Sequence, residues 1–103
     1  MSKKPKGLEG LRSFEEGYKV RYPIYLRQLR YYEAEEKLIK EIDQAFVKGY
    51  SQVEVIHGLS GGTLRKLTRT VAEAHPLVES IMPFQSRLHH NPGSTILILH
   101  SRY

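Results

Sequence analysis

The chain contains no cysteine. Disulfides and thiolate metal sites are therefore excluded, and the composition fits the cytoplasm, where thiols stay reduced. No stretch approaches the roughly 18 consecutive apolar residues of a membrane-spanning helix, so no membrane partner is expected. The opening residues MSKKPKG are basic but lead into no apolar segment, so they do not read as a signal peptide. With 103 residues there is room for one modest core and no second one. Internal repeats and low-complexity tracts are also missing.

Positive charge is in surplus. The formal net charge is +5 and the sequence pI is near 9.6, a balance that favours anionic partners, most simply nucleic acid. From His57 onward five Lys/Arg stand against two Glu. Residues 1–21 hold Lys3, Lys4, Lys6 and Arg12 among glycines and few apolar positions, and read as a flexible basic arm. Residues 22–103 then form the folded domain.

Within that domain the pattern alternates between strand and helix. Pro23 begins a short strand over Ile24-Tyr25-Leu26. From Glu33 to Lys48 there is neither Gly nor Pro. Ala34, Leu38, Ile42 and Ala45 recur at helical spacing there, with Ile39 and Phe46 widening the face. Gly49 is placed to stop this helix. Val53, Val55 and Ile56 form a β-branched strand that runs into a glycine-rich turn. A second helix follows from Gly62 to Ala74, with Leu64, Leu67, Val71 and Ala74 on its apolar face, and Pro76 ends it. Two further strands, 78–84 and 94–100, are joined by a long loop. The apolar run Ile96–Leu99 predicts a strand covered on both faces and so central in its sheet. The order β-α-β-α-β-β predicts an α/β (α+β) two-layer sandwich, with two helices on a mixed four-stranded sheet.

The turn Gly58-Leu59-Ser60-Gly61-Gly62 raises three chemical readings. It matches the G-x-S-x-G elbow of serine hydrolases, but only 43 residues follow Ser60, too few for that scaffold and its later acid and histidine. It lacks the Lys-Ser/Thr of a P-loop and the spacing of a dinucleotide fingerprint. His89 and His90 are adjacent and point apart on a strand, no histidines have i, i+4 spacing, and no metal site is evident. The reading that remains is an anion cradle made of turn amides and the start of the second helix, with Ser60 or Thr63 as its cap. Arg65 and Lys66 in the first helical turn oppose the helix dipole, a placement that a bound anion would offset.

The segment 56-IHGLSGGTLRK-66 resembles the H-G-x-G-x-G-x-L-R signature of the Smr (small MutS-related) domain family. His57, Gly58, Gly62, Leu64 and Arg65 match, and Ser60 replaces the middle glycine. Ile24-Tyr25-Leu26-Arg27-Gln28-Leu29 stands where the family has its L-D-x-H-G-L box, followed by Glu33-Ala34. Residues 75–84 and Gly93-Ser94-Thr95-Ile96 resemble the later strands. The resemblance spans about residues 22–100. It implies a fold similar to the C-terminal domain of a bacterial translation initiation factor, and binding of branched DNA or structured RNA. Several members are nicking endonucleases or ribonucleases.

Read onto this sequence, the resemblance implies a nucleic-acid site made of His57, Gly58, Ser60, Gly61 and Gly62, with charge from Arg65, Lys66, Arg69, Arg27 and Arg30. His57 is the candidate catalytic residue. The family's acid and histidine are here Tyr25 and Arg27, and its glycine is Gln28, so the first box offers no general base and no carboxylate for a metal. An endonuclease with a reduced or altered box and a non-catalytic nucleic-acid binder are both consistent with these residues. A protein-interaction module with a purely structural glycine loop is a third reading.

Overall fold

The computed structural model of the protein describes residues 21–59, 62–83 and 91–101. The arm expected over residues 1–21 lies outside them, apart from Arg21.

Six elements follow in the order β1 (Arg21–Tyr25), α1 (Tyr31–Val47), β2 (Gln52–Ile56), α2 (Thr63–Ala74), β3 (Val78–Ile81) and β4 (Ser94–Leu99). The sheet order is β1-β2-β4-β3. β1 and β2 are parallel, with α1 as their crossover, whereas β4 runs antiparallel to both β2 and β3. The expected mixed sheet with two helices is the observed one. β4 is central, with Leu97 and Leu99 buried on the helix side and Ser94 and Ile96 buried on the other.

Alternation along the strands decides which residues meet the helices. Ile24, Val53, Val55, Leu97 and Leu99 share one core with Ala34, Leu38, Ile42 and Ala45 of α1 and with Leu67, Val71 and Ala72 of α2. Each fully buried Leu, Ile or Val contributes roughly 1.5–3 kcal/mol relative to exposure. α1 ends in a left-handed glycine: the Gly49 amide (φ 91°) donates to Phe46 O and the Tyr50 amide to Ala45 O. This pair of bonds satisfies the last carbonyls and turns the chain into β2.

Several expected boundaries shift. β1 starts at Arg21 rather than at Pro23 and ends before Leu26. Among the described residues β1 is bonded to β2 alone, at the edge of the sheet, where a proline is tolerated. α1 begins two residues early, at Tyr31, and β3 stops at Ile81. Ile39 is exposed rather than part of the core face. On α2 the buried stripe runs through Leu67, Thr68, Val71 and Ala72, while Ala74 is exposed. Thr68 can be buried because its hydroxyl donates to Leu64 O at 2.8 Å, which satisfies the polar atom within its own helix.

Candidate nucleic-acid interface

The parallel strands β1 and β2 end at the same edge of the sheet, with Tyr25 paired to Ile56. Both helices begin near that edge. In open α/β sheets, the carboxyl ends of parallel strands are where ligands bind, because the connecting loops and helix N-termini converge there.

The glycine turn starts from a crossing of two chain segments. The amides of His57 and Gly58 both donate to Gly93 O, at 3.0 and 2.9 Å. Gly58 has φ +87°, and a Cβ built there would stand 3.3 Å from Cγ of Arg27. The backbone conformation and the close approach of Arg27 both favour glycine at this position. Gly93 is as constrained by space, since a Cβ would lie 3.3 Å from Asn91 Oδ1 and 3.7 Å from the Gly58 backbone. Two amides that could have served an anion cradle are therefore committed to holding the loop against β4.

His57 is 5 % exposed. Its Nδ1 lies 2.9 Å from Gly58 O and its Nε2 2.8 Å from Thr95 Oγ1. The carbonyl can only accept, so Nδ1 carries a proton; in the neutral ring Nε2 then accepts from the Thr95 hydroxyl. Thr95 itself lines a cleft of about 410 Å³ together with Arg65, Arg69, Met82, Pro83 and Pro92. His57 thus reaches this cleft through Thr95 rather than directly. Glu54 lies on the opposite sheet face, as strand alternation predicts, where its carboxylate accepts from Ser94 Oγ at 2.8 Å.

The cations gather around the same crossing. Arg27 packs along Gly58. Arg65 donates through Nη2 to Pro92 O at 3.3 Å, one residue from Gly93, and Arg69 stands one turn further along the cleft wall. Lys66 is exposed on α2 outside that wall, and Arg30 is exposed at the N-cap of α1. Arg30 has no side-chain acceptor, so only half of a capping box forms: its amide donates to Glu33 Oε1 at 3.0 Å. Ser60 and Gly61 lie outside the described residues. Gly62, not Ser60 or Thr63, is the N-cap of α2. It has φ 95° and no side chain to cap the helix, and no acid occupies the first turn. The first amides of α2 consequently have no partner within the helix and sit beside Arg65.

Sequence reasoning missed Thr95 and the structural weight of Gly93. Both stand in the G-x-T segment, but nothing in local spacing reveals that Thr95 holds a histidine 38 residues away. It also missed that Gln28 has φ 69°, the left-handed conformation that glycine fills readily.

Comparison with known proteins fits this geometry. The model of the Smr domain matches residues 24–100. The chain belongs to the Smr domain family. Among its relatives is an Endonuclease MutS2 of Halothermothrix orenii, 47% identical over 55 residues, which is 53% of this chain and 7% of that protein. Another is an Endonuclease MutS2 of Halalkalibacterium halodurans, 41% identical over 61 residues, or 59% of this chain and 8% of that protein. This Smr domain therefore spans less than a tenth of those relatives. The crystal structure of the Smr domain of Thermus thermophilus MutS2 superposes with a TM-score of 0.69 at 25% identity, covering 78% of this chain and 99% of that one. The sandwich fold implied by the resemblance is thereby established. Among the described residues no helix is long and apolar enough to cross a membrane.

Proposed function

We propose that this Smr domain binds the phosphate backbone of nucleic acid, branched DNA or structured RNA, at the edge where β1 and β2 end. The observation that carries the reading is the convergence of Arg27, through Gly58, and Arg65, through Pro92, on the Gly58–Gly93 crossing beside the uncapped start of α2. The amides of Gly62, Thr63 and Leu64 take the phosphate oxygens, and Arg27, Arg65 and Arg69 supply charge-assisted donors around them. Lys66 and Arg30 extend the positive surface. Binding of this kind is dominated by counterion release and weakens steeply with salt. The domain acts in the cytoplasm, as a binding module.

A second reading, cleavage, is favoured by the relatives named Endonuclease MutS2 and by the bond between His57 and Thr95. In that reading His57 draws the proton of the Thr95 hydroxyl, or of a water held there, while Arg65 and Arg69 stabilise charge on the phosphate. Tyr25 and Arg27 replace the family's acid and histidine, so no carboxylate assists.

The test is affinity for a branched DNA and a structured RNA over a salt series, with a nicking assay on the same samples. Arg65→Ala should lower the slope of log K against log salt by about 1 for a lost phosphate contact. Binding that is absent, or indifferent to salt, contradicts the first reading. Nicking that disappears with His57→Ala supports the second, and nicking that persists in that variant rejects His57 as its catalyst.

A further inference from the structure

Of the seven tyrosines, three lie exposed at the edge just described. Tyr25 is 60 % exposed, Tyr31 51 % and Tyr32 62 %. They differ in this from Tyr22 and Tyr50, which are half-buried and stack edge to face with ring centroids 5.0 Å apart. Among the described residues the rings of Tyr25, Tyr31 and Tyr32 have no hydroxyl partner and no ring contact. Tyr25 ends β1 on the face away from the helices, and Tyr31 and Tyr32 open α1 across the short loop 26–30. Arg27 and Arg30 stand in and beside that loop, and Lys37 Nζ donates to Tyr25 O at 2.8 Å. The segment 21-RYPIYLRQLRYY-32 therefore interleaves exposed rings with cations, directly beside the loop that Arg27 joins to Gly58.

Exposed rings beside cations fit one ligand chemistry well. Unpaired nucleobases stack on aromatic faces whatever their identity, while adjacent arginines hold the phosphates between them. Duplex DNA hides its base faces in the stack and cannot use such rings. Resting on the phosphate-binding reading above, we infer that Tyr25, Tyr31 and Tyr32 form a stacking surface for unpaired bases. On this inference the substrate class of the domain is nucleic acid with single-stranded or splayed nucleotides next to the gripped backbone. A structure preference then follows without any base-specific contact.

The experiment compares a mixed-sequence single-stranded oligonucleotide with a blunt duplex of the same sequence. Both bind the unsubstituted protein, a Tyr25→Ala/Tyr31→Ala/Tyr32→Ala variant and the matching triple Phe variant, with circular dichroism reporting the fold. The Ala variant should lose at least about fivefold in affinity for the single strand, the effect of one lost stacked base. Its duplex affinity and its salt slope should not change, and the Phe variant should bind as the unsubstituted protein does. Equal losses on both probes, or none on the single strand, overturn the inference and leave the phosphate site standing. Failure of the unsubstituted protein to bind either probe overturns both.

Discussion

At the scale of single residues, the first box of this Smr domain departs from the pattern of the resemblance at Gln28, which stands in the place of a glycine. Gln28 has a φ of 69°, the left-handed conformation that glycine fills readily. An L-residue in that conformation costs about 1–2 kcal/mol, offset in part by the smaller entropy a glutamine loses on folding compared with glycine. Gln28→Gly should therefore raise stability by up to about 1 kcal/mol, read as a higher denaturant midpoint at unchanged slope. A lower midpoint would mean that the glutamine side chain makes a contact that outweighs the strain. His57 illustrates the reverse relation between type and role. As a residue type it suggests an acid or base in the open, yet its ring is buried and ties the turn to β4 through Thr95. The sequence singled out His57 as a candidate site residue, but not its lack of exposure. That depends on a strand brought in from residues 93–95.

At the scale of elements, periodicity located both helices and the central strand because each depends on its own pattern. The apolar spacing of Ala34, Leu38, Ile42 and Ala45 names the buried face of α1 directly. The stripe on α2 was less legible, because Thr68 is buried through a bond to its own helix and a threonine does not announce this. Contacts between elements were not legible at all. Tyr22 on β1 donates to Glu41 Oε1 on α1 at 2.7 Å, and this bond, with burial as a lesser cause, raises the tyrosine pKa above 10.0. Because the folded state holds this proton more tightly than the unfolded chain, the stabilisation is complete below about pH 10 and is lost as pH rises through the folded value. Tyr22→Phe should cost about 1 kcal/mol at neutral pH, the usual net worth of a hydrogen bond. It should also flatten the alkaline arm of the stability curve, as followed by urea denaturation between pH 8 and 11. An unchanged alkaline slope would show that other groups control that arm.

At the scale of the whole molecule, the sandwich gathers at one edge residues that are far apart in the chain: Arg27, the turn at Gly58, Arg65 and Arg69, and the crossing segment at Gly93. Composition signalled an anionic partner, and the glycine signature signalled the loop. The two are joined by the parallel pairing of β1 with β2 and by β4 lying alongside. The central claim is that phosphate is held at the start of α2 beside this crossing. The direct measurement is amide chemical-shift mapping by nuclear magnetic resonance as a short oligonucleotide is titrated in. The largest shifts should fall at Gly62, Thr63, Leu64 and Arg65, with smaller ones at Gly58 and Gly93, all fading as salt is raised. Shifts concentrated instead in the groove between the helices, at Ile39, Asp43 and His75, would contradict it.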